Sequence, residues 1–241
     1  TLTALSGTTV PTAPTTSNSD TLLLLNFTNA SIIDQSMSHN LITFNDAQIN
    51  TSVKKYGSGS IYFDGTGDVL YIENGPLTFD FGSGQFTLEF WCQVPSNAST
   101  SSLQMFMSNE GSTWSTGGIS YYTAYNAGAG QHTFPFFVND APTNPVLNAV
   151  DDLRDGNWHH HAIVRGTSGS MAYFIDGTRK STRTYTGIVG NSTRFMRIGG
   201  LSTTQRTSEF YLDELRVTYG VARYDPSQTS VTIPTKAFVN R

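Results

Sequence analysis

The side chains best equipped for chemistry in this chain are its acids, a run of three histidines, one cysteine and a patch of aromatics. Glycoside hydrolysis needs two carboxyl groups about 5 Å apart for retention, and further apart for inversion. Glu89 stands alone on its apolar stretch, and Glu209, Asp213 and Glu214 cluster near the end of the chain. Neither group has a spacing that aims a pair of acids into one cleft. His159, His160 and His161 are consecutive in an apolar run. On a strand, His159 and His161 project to one face and His160 to the other. Two chemistries are open to them: a zinc site from the i, i+2 pair, or a histidine packed and hydrogen-bonded inside the protein.

Cys92 is the single cysteine, between Trp91 and Gln93. It reads as a small buried apolar residue, and no nearby base or cation marks it as a nucleophile. Sugars are held by aromatic faces together with planar polar side chains. Trp114, Tyr121, Tyr122, Tyr125, Asn126 and His132 fall within one glycine-rich region and are the candidate carbohydrate-binding residues. The other reading is that these rings fill the interior, as most aromatics do. Asn26, Asn29, Asn50, Asn97 and Asn191 each head an Asn-x-Ser/Thr triplet. In a chain so rich in Ser and Thr this motif carries little weight.

The elements that position these residues are strands. Gly156 to Lys180 reads as a meander: strand Trp158 to Arg165, a loop Gly166 to Ser170 with two glycines for positive φ, strand Met171 to Ile175, then Asp176-Gly177 as a tight turn into Thr178 to Tyr185. Further strands are expected at Leu22 to Phe27, Leu41 to Phe44, Ala47 to Asn50, Ser60 to Phe63, Val69 to Ile72, Phe86 to Val94, Gln104 to Ser108, Ile119 to Ala124, Gln131 to Val138, Phe195 to Ile198 and Phe210 to Val217. Asn148 to Asp155 is the one stretch expected to form a helical turn. No segment sustains a 3.6-residue apolar period, so an almost helix-free protein is predicted.

The Trp-His-His hairpin ending in Asp-Gly resembles the core of laminin-G-like, concanavalin A-type jelly rolls. LLLLNF (Leu22 to Phe27), GSGSIYFDGTGDVLYI (Gly57 to Ile72), FGSGQFTLEFWCQV (Phe81 to Val94) and FYLDELRVTYGVARY (Phe210 to Tyr224) agree with it in order. The resemblance implies an all-β fold, an antiparallel two-sheet jelly-roll sandwich, with the first and last strands paired. It also implies a calcium ion held by an early loop aspartate and one on the closing strand, positions occupied here by Asp34 and Asp213. This loop reads DQSMSHN and lacks the two glycines of the family's Asp-x-Ser-Gly-Asn-Gly. Laminarinase-type hydrolases of the same superfamily carry Glu-x-Asp-x-x-Glu on one strand, and this chain has no such pattern. The fold hosts lectins, adhesion modules, virion proteins and glycosidases alike.

The organisation expected is an extended Thr/Ser/Pro-rich arm over 1–20, one jelly-roll domain over 21–224 and an extended tail over 225–241. Only 13% of residues are charged, the net charge is −4, and no Lys/Arg run exists. That leaves no electrostatic footprint for nucleic acid or anionic lipid. No apolar run approaches the roughly 20 residues of a membrane span. The function expected is a non-enzymatic, lectin-like binding or structural module of a virion (decoration, fibre or tail) or a cell surface. Its partners would be glycans or neighbouring subunits, with the arms as a route to homo-oligomers. A scaffold with no glycan ligand is the first alternative, and a glycoside hydrolase is the distant one.

Overall fold

The computed structural model describes residues 20–27, 32–36, 38–73, 79–98, 104–109, 118–126, 131–138, 145–190, 195–200 and 207–239; the side chains of 104–105, 122–126 and 131–132 fall outside that description. The first nine strands are β1 Thr21–Leu25, β2 Asn40–Phe44, β3 Gln48–Asn50, β4 Ser60–Asp64, β5 Val69–Glu73, β6 Phe86–Gln93, β7 Gln104–Ser108, β8 Ile119–Asn126 and β9 Gln131–Val138. The remaining six are β10 Leu147–Asp151, β11 Trp158–Arg165, β12 Ser170–Ile175, β13 Thr178–Thr184, β14 Met196–Ile198 and β15 Glu209–Tyr219.

They form two antiparallel sheets. One runs β13-β12-β11-β6-β15-β4-β3, with β1 also on β15; the other runs β10-β9-β8-β7-β14-β5-β2. This is the all-β, two-sheet jelly-roll sandwich expected. The first strand does pair with the last: Leu25 lies opposite Leu215 and Leu24 opposite Arg216. β15 is the spine. It keeps β6 along one side while β4 and then β1 follow each other along its other side.

Alternation explains the interior. Phe86, Leu88, Phe90 and Cys92 of β6 face the second sheet, with Phe210, Leu212, Leu215 and Val217 of β15 beside them. The change from even to odd numbers on β15 marks a bulge, where the register shifts between Asp213 and Arg216. Glu214 takes a φ of 54° there, the left-handed value that lets one extra residue fit. Across the gap, Phe106, Tyr121, Phe134 and Phe136 are at most 2% exposed. Phe106 packs against Phe210 as a tilted ring pair, 4.5 Å between centroids.

The meander forms as read, with Asp176 at φ 48° and Gly177 at φ 75° in its tight turn. A side chain at Gly177 would collide with the Val231 carbonyl, so this turn needs glycine for packing as well as for φ. The preceding loop closes on a 3-10 turn, Thr167–Gly169, in which Ser168 (φ 58°) and Gly169 (φ 74°) take the positive φ values; Gly166 stays extended.

Two expectations are corrected. Residues 148–155 do not make a helical turn. Leu147 and Ala149 point inward while Asn148 and Val150 are exposed, so the period is 2 and β10 pairs with β9. The chain after Asp225, expected as an extended tail, turns at Pro226–Ser227 and is fastened to the strands that precede it. Val231 N–H donates to Gly177 O at 2.8 Å, Arg179 N–H to Thr229 O at 3.0 Å, and Tyr56 O–H to Pro234 O at 3.0 Å. Phe238 N–H donates to the Glu214 carboxyl. The Phe238 ring is 4% exposed beside Leu24 and Trp91, with the Arg216 guanidinium 4.2 Å from its centroid. Phe238 and Ile233 of this strap pack on Trp91 on the outer face of the first sheet, and beside them Tyr224 and Arg223 cover Glu89 and Thr218, so all three are buried although they point away from the sandwich interior. Residues 1–19 lie outside the described residues.

Phe238→Ala is expected to lower unfolding free energy by about 3 kcal/mol, the cost of emptying an aromatic site. Denaturant titration checks it; a change below about 0.5 kcal/mol means the strap is not part of the folded unit.

Candidate functional site

The five residues Gln48, Tyr62, Tyr211, Gln93 and Trp158 make the candidate binding surface. Each comes from a different strand, and the register sets them side by side: Gln48 opposite Tyr62, Tyr62 opposite Tyr211, Tyr211 opposite Gln93, and Gln93 opposite Trp158. Their inward neighbours Ile49, Ile61, Phe63, Phe210, Leu212 and Cys92 pack in or against the core. The row therefore lies on the outer face of the first sheet. With strands about 4.8 Å apart, its four gaps span about 19 Å. Gln48 is exposed and the other four are half-buried.

Tyr62 and Tyr211 stack at 4.5 Å with 27° between their rings. The Gln93 amide donates to Gly156 O, which fixes its plane and leaves its carbonyl oxygen free of that bond. Trp158 packs against the cluster of Leu24, Trp91 and Phe238, with Tyr56 on the same cluster. The Lys55 ammonium sits 3.9 Å above the Trp91 ring. On the opposite flank, Glu209 lies across from Asp64, and its Oε1 is 3.4 Å from the Tyr62 hydroxyl. Burial first, then Glu209 and Tyr211, push the Tyr62 phenol up to about 12. It stays a neutral donor and acceptor throughout the physiological range.

The aromatic region expected from sequence divides. Tyr121 is 1% exposed in the core, where its hydroxyl meets Tyr173 and, at 3.0 Å, His161 Nδ1. It fills the sandwich and is no surface contact, a correction set by the inward phase of β8. Tyr122, Tyr125 and Asn126 lie on β8 and His132 on β9, with Tyr125 opposite His132 in the register. Their side chains, and Trp114 altogether, lie outside the described residues.

The histidines separate as alternation requires. His161 is fully buried, with Nδ1 2.6 Å from Tyr173 OH and Nε2 3.3 Å from Cys92 Sγ. Burial holds it down to about 3, so it is a neutral imidazole. His160 faces the other way, its Nε2 3.5 Å from Glu89 Oε2. His159, at the sheet's end, is clamped between Asp176 (2.6 Å) and Asp155 (3.0 Å). No ion-binding group among the described residues includes any of the three; the convergent set is Asp46, Asp64 and Asp68.

The buried acids are occupied by their own chain. Asp34 accepts the Leu24, Ser36 and Ser38 amides, the Ser36 hydroxyl at 2.7 Å, and contacts His39 Nδ1 at 2.8 Å. Asp213 accepts the Lys55, Tyr56 and Glu214 amides at 2.9–3.0 Å. N–H donors aimed at these oxygens leave the pair a poor fit for a calcium ion, which wants free oxygen lone pairs. Glu89 accepts two bonds from Arg216 (2.9 and 2.6 Å) and one from Tyr224 O–H (2.6 Å). Burial alone would raise its pKa, but His160, Arg216 and Tyr224 more than offset that and hold it low. Burial pushes Asp213 up to about 6 and Glu214 up to about 8, and Glu214 lies under the strap.

Sequence reading missed the outward row because no stretch of sequence contains it. The one available signal was a polar or aromatic residue at the outward phase of each of five strands.

Residues 64–223 match the family described as the concanavalin A-like lectin/glucanases superfamily, and the chain belongs to it. No curated protein matches it significantly. Among solved structures, the receptor-binding domain of botulinum neurotoxin D is 13% identical, with a TM-score of 0.62 over 83% of this chain and 49% of that one. The binding domain of Paraclostridial Mosquitocidal Protein 1 is 15% identical, with a TM-score of 0.62 over 86% and 50%. This chain thus spans about half the length of those toxin domains. Domain 4 of AbnA, a GH43 extracellular arabinanase from Geobacillus stearothermophilus solved in complex with arabinotriose, is 15% identical, with a TM-score of 0.59 over 87% of this chain and 96% of that one. At these identities the likeness is one of fold.

Two outcomes are expected. Asp176 and then Asp155 hold His159 above its usual pKa; against the opposing effect of burial, His159 holds the Asp176 carboxyl low, and Asn157 first, then His159, hold that of Asp155 low. A raised histidine stabilises fully below its unfolded value of about 6.5 and loses that contribution as pH rises through the folded one. The carboxylates stabilise above about 3.9 and lose it as pH falls. The clamp therefore works from about pH 4 up to the His159 midpoint. His159→Gln should flatten the fall of stability above pH 6.5, read by thermal melts across pH; an unchanged slope rejects the clamp. Cys92 is 0% exposed with its thiol driven far up by burial, so a thiol reagent should label it only as fast as the domain unfolds.

Proposed function

We propose that this member of the concanavalin A-like superfamily is a carbohydrate-binding module that holds glycans without cleaving them. The observation that carries the reading is the outward row Gln48–Tyr62–Tyr211–Gln93–Trp158. Aromatic rings offer apolar faces to sugar C–H groups, and glutamine amides supply a donor and an acceptor in one plane. Placed in one line on a rigid sheet, these groups lose little entropy when a ligand arrives. A span of about 19 Å suits an oligosaccharide better than a single sugar.

Two further facts support binding over catalysis. Asp34, Asp213 and Glu89 already accept hydrogen bonds from their own chain. The solved neighbours named above are binding domains or, for the arabinanase, a separate domain solved with arabinotriose. That last match extends over nearly the whole of the neighbour. A secreted or surface setting accords with these neighbours. Attachment to a virion or an adhesin is the finer reading, and the low charge and the Thr/Ser/Pro-rich first 20 residues favour it.

A glycan array tests the proposal. The native chain is expected to bind oligosaccharides, and Tyr62→Ala and Tyr211→Ala are each expected to weaken binding roughly three- to tenfold, the worth of one aromatic contact. Unchanged melting temperatures must accompany the loss. Binding abolished by Trp114→Ala but not by the tyrosine changes moves the site to the β7–β8 side. A blank array with folded protein favours the scaffold reading.

A further inference from the structure

We infer that the row selects uncharged oligosaccharides and turns away acidic ones, with Glu209 and Asp64 as the residues that set this preference. The inference rests on the glycan reading above and adds to it the ligand's charge class. Glu209 and Asp64 face each other across β15 and β4, two residues along from Tyr211 and Tyr62 and therefore on the same outer face. Two residues of strand put them about 6.6 Å from the tyrosine pair. Glu209 reaches closer, with Oε1 3.4 Å from the Tyr62 hydroxyl.

The acidic flank continues beyond them. Carboxyl oxygens of Asp46, Asp64 and Asp68 lie within 4.8 Å of one another at the same end of β4. Asp68 spends its oxygens on the Asp46 and Asp64 amides, and burial first, with Asp64 and Asp46 next, raises its carboxyl. Asp46, by contrast, is exposed. The row's own members, two glutamines, two tyrosines and a tryptophan, carry no charge. The cation on the other flank, Lys55, is engaged over the Trp91 ring at 3.9 Å, and its backbone is pinned by Asp213 at 2.9 Å. An anionic sugar laid on the tyrosines therefore meets carboxylates within one Debye length, about 8 Å at physiological salt. No guanidinium stands within the row to accept it in the bidentate manner that acidic ligands favour.

The test compares matched pairs on the native chain: arabinotriose and lactose against oligogalacturonate and lactose capped with N-acetylneuraminic acid. Neutral probes are expected to bind, and each acidic probe to bind at least fivefold more weakly at low salt, a repulsion of about 1 kcal/mol at contact distance in water. Raising the salt should narrow that gap. In the double variant D64N/E209Q the ratio of acidic to neutral affinity should rise severalfold, and a melting curve confirms that the variant is folded. Acidic probes bound as tightly as their neutral partners, or a ratio unmoved in the folded double variant, overturn this inference and leave the glycan reading standing. Binding of no oligosaccharide at all overturns both.

Discussion

The register of β15 between β6 on one side and β4 and β1 on the other is the constraint from which the rest follows. A strand shared by three partners cannot slip by one residue without turning Phe210, Leu212, Leu215 and Val217 out of the core. The same register fixes what lies outside. It sets Tyr211 between Tyr62 and Gln93, so the apolar interior dictates the candidate surface without contributing an atom to it. The bulge at Asp213–Glu214 corrects the phase midway along β15, and Asp213 ties the Lys55–Tyr56 loop down at that point.

The outer face of the first sheet is divided by the strap. Its centre holds Glu89, Arg216, His160 and Tyr224 in one buried polar cluster, capped by Phe238. Buried ion pairs are costly to break, because the remaining partner is stranded without water. This half of the face is therefore structural. Beyond the strap the five-residue row stays half-open. The buried polar cluster and the candidate row thus share one sheet face and use different strand positions on it.

The inner polar network works differently. His161, Tyr121, Tyr173 and Cys92 form a hydrogen-bonded knot within an aromatic interior. It satisfies four polar groups that would each be costly if left alone in an apolar core. His161 lies almost parallel to Phe90, 4.9 Å away, so the imidazole packs as an aromatic ring. The two tyrosine hydroxyls make a histidine tolerable in this apolar interior.

The family resemblance implied the pairing of the first and last strands. Sequence by itself determined the strands, the meander with its Asp-Gly turn, and the opposite faces of His160 and His161. All of these follow from local alternation and turn chemistry, which a linear string carries directly. It misjudged residues 148–155, where the exposed apolar Val150 obscured a period of 2, and it read residues 225–241 as an extended tail, which the structure fastens down as far as Phe238. It placed the candidate carbohydrate-binding residues among aromatics close together along the chain, and of these Tyr121 is core. Tertiary structure alone decided the Gln48–Tyr62–Tyr211–Gln93–Trp158 row, the docking of Phe238 and the filling of Asp34 and Asp213 by amide donors. Those depend on which residue lies opposite which across strands as far apart in sequence as Gln48 and Tyr211. Long-range register is settled by the collective burial of two sheet faces, and no local stretch of residues encodes it.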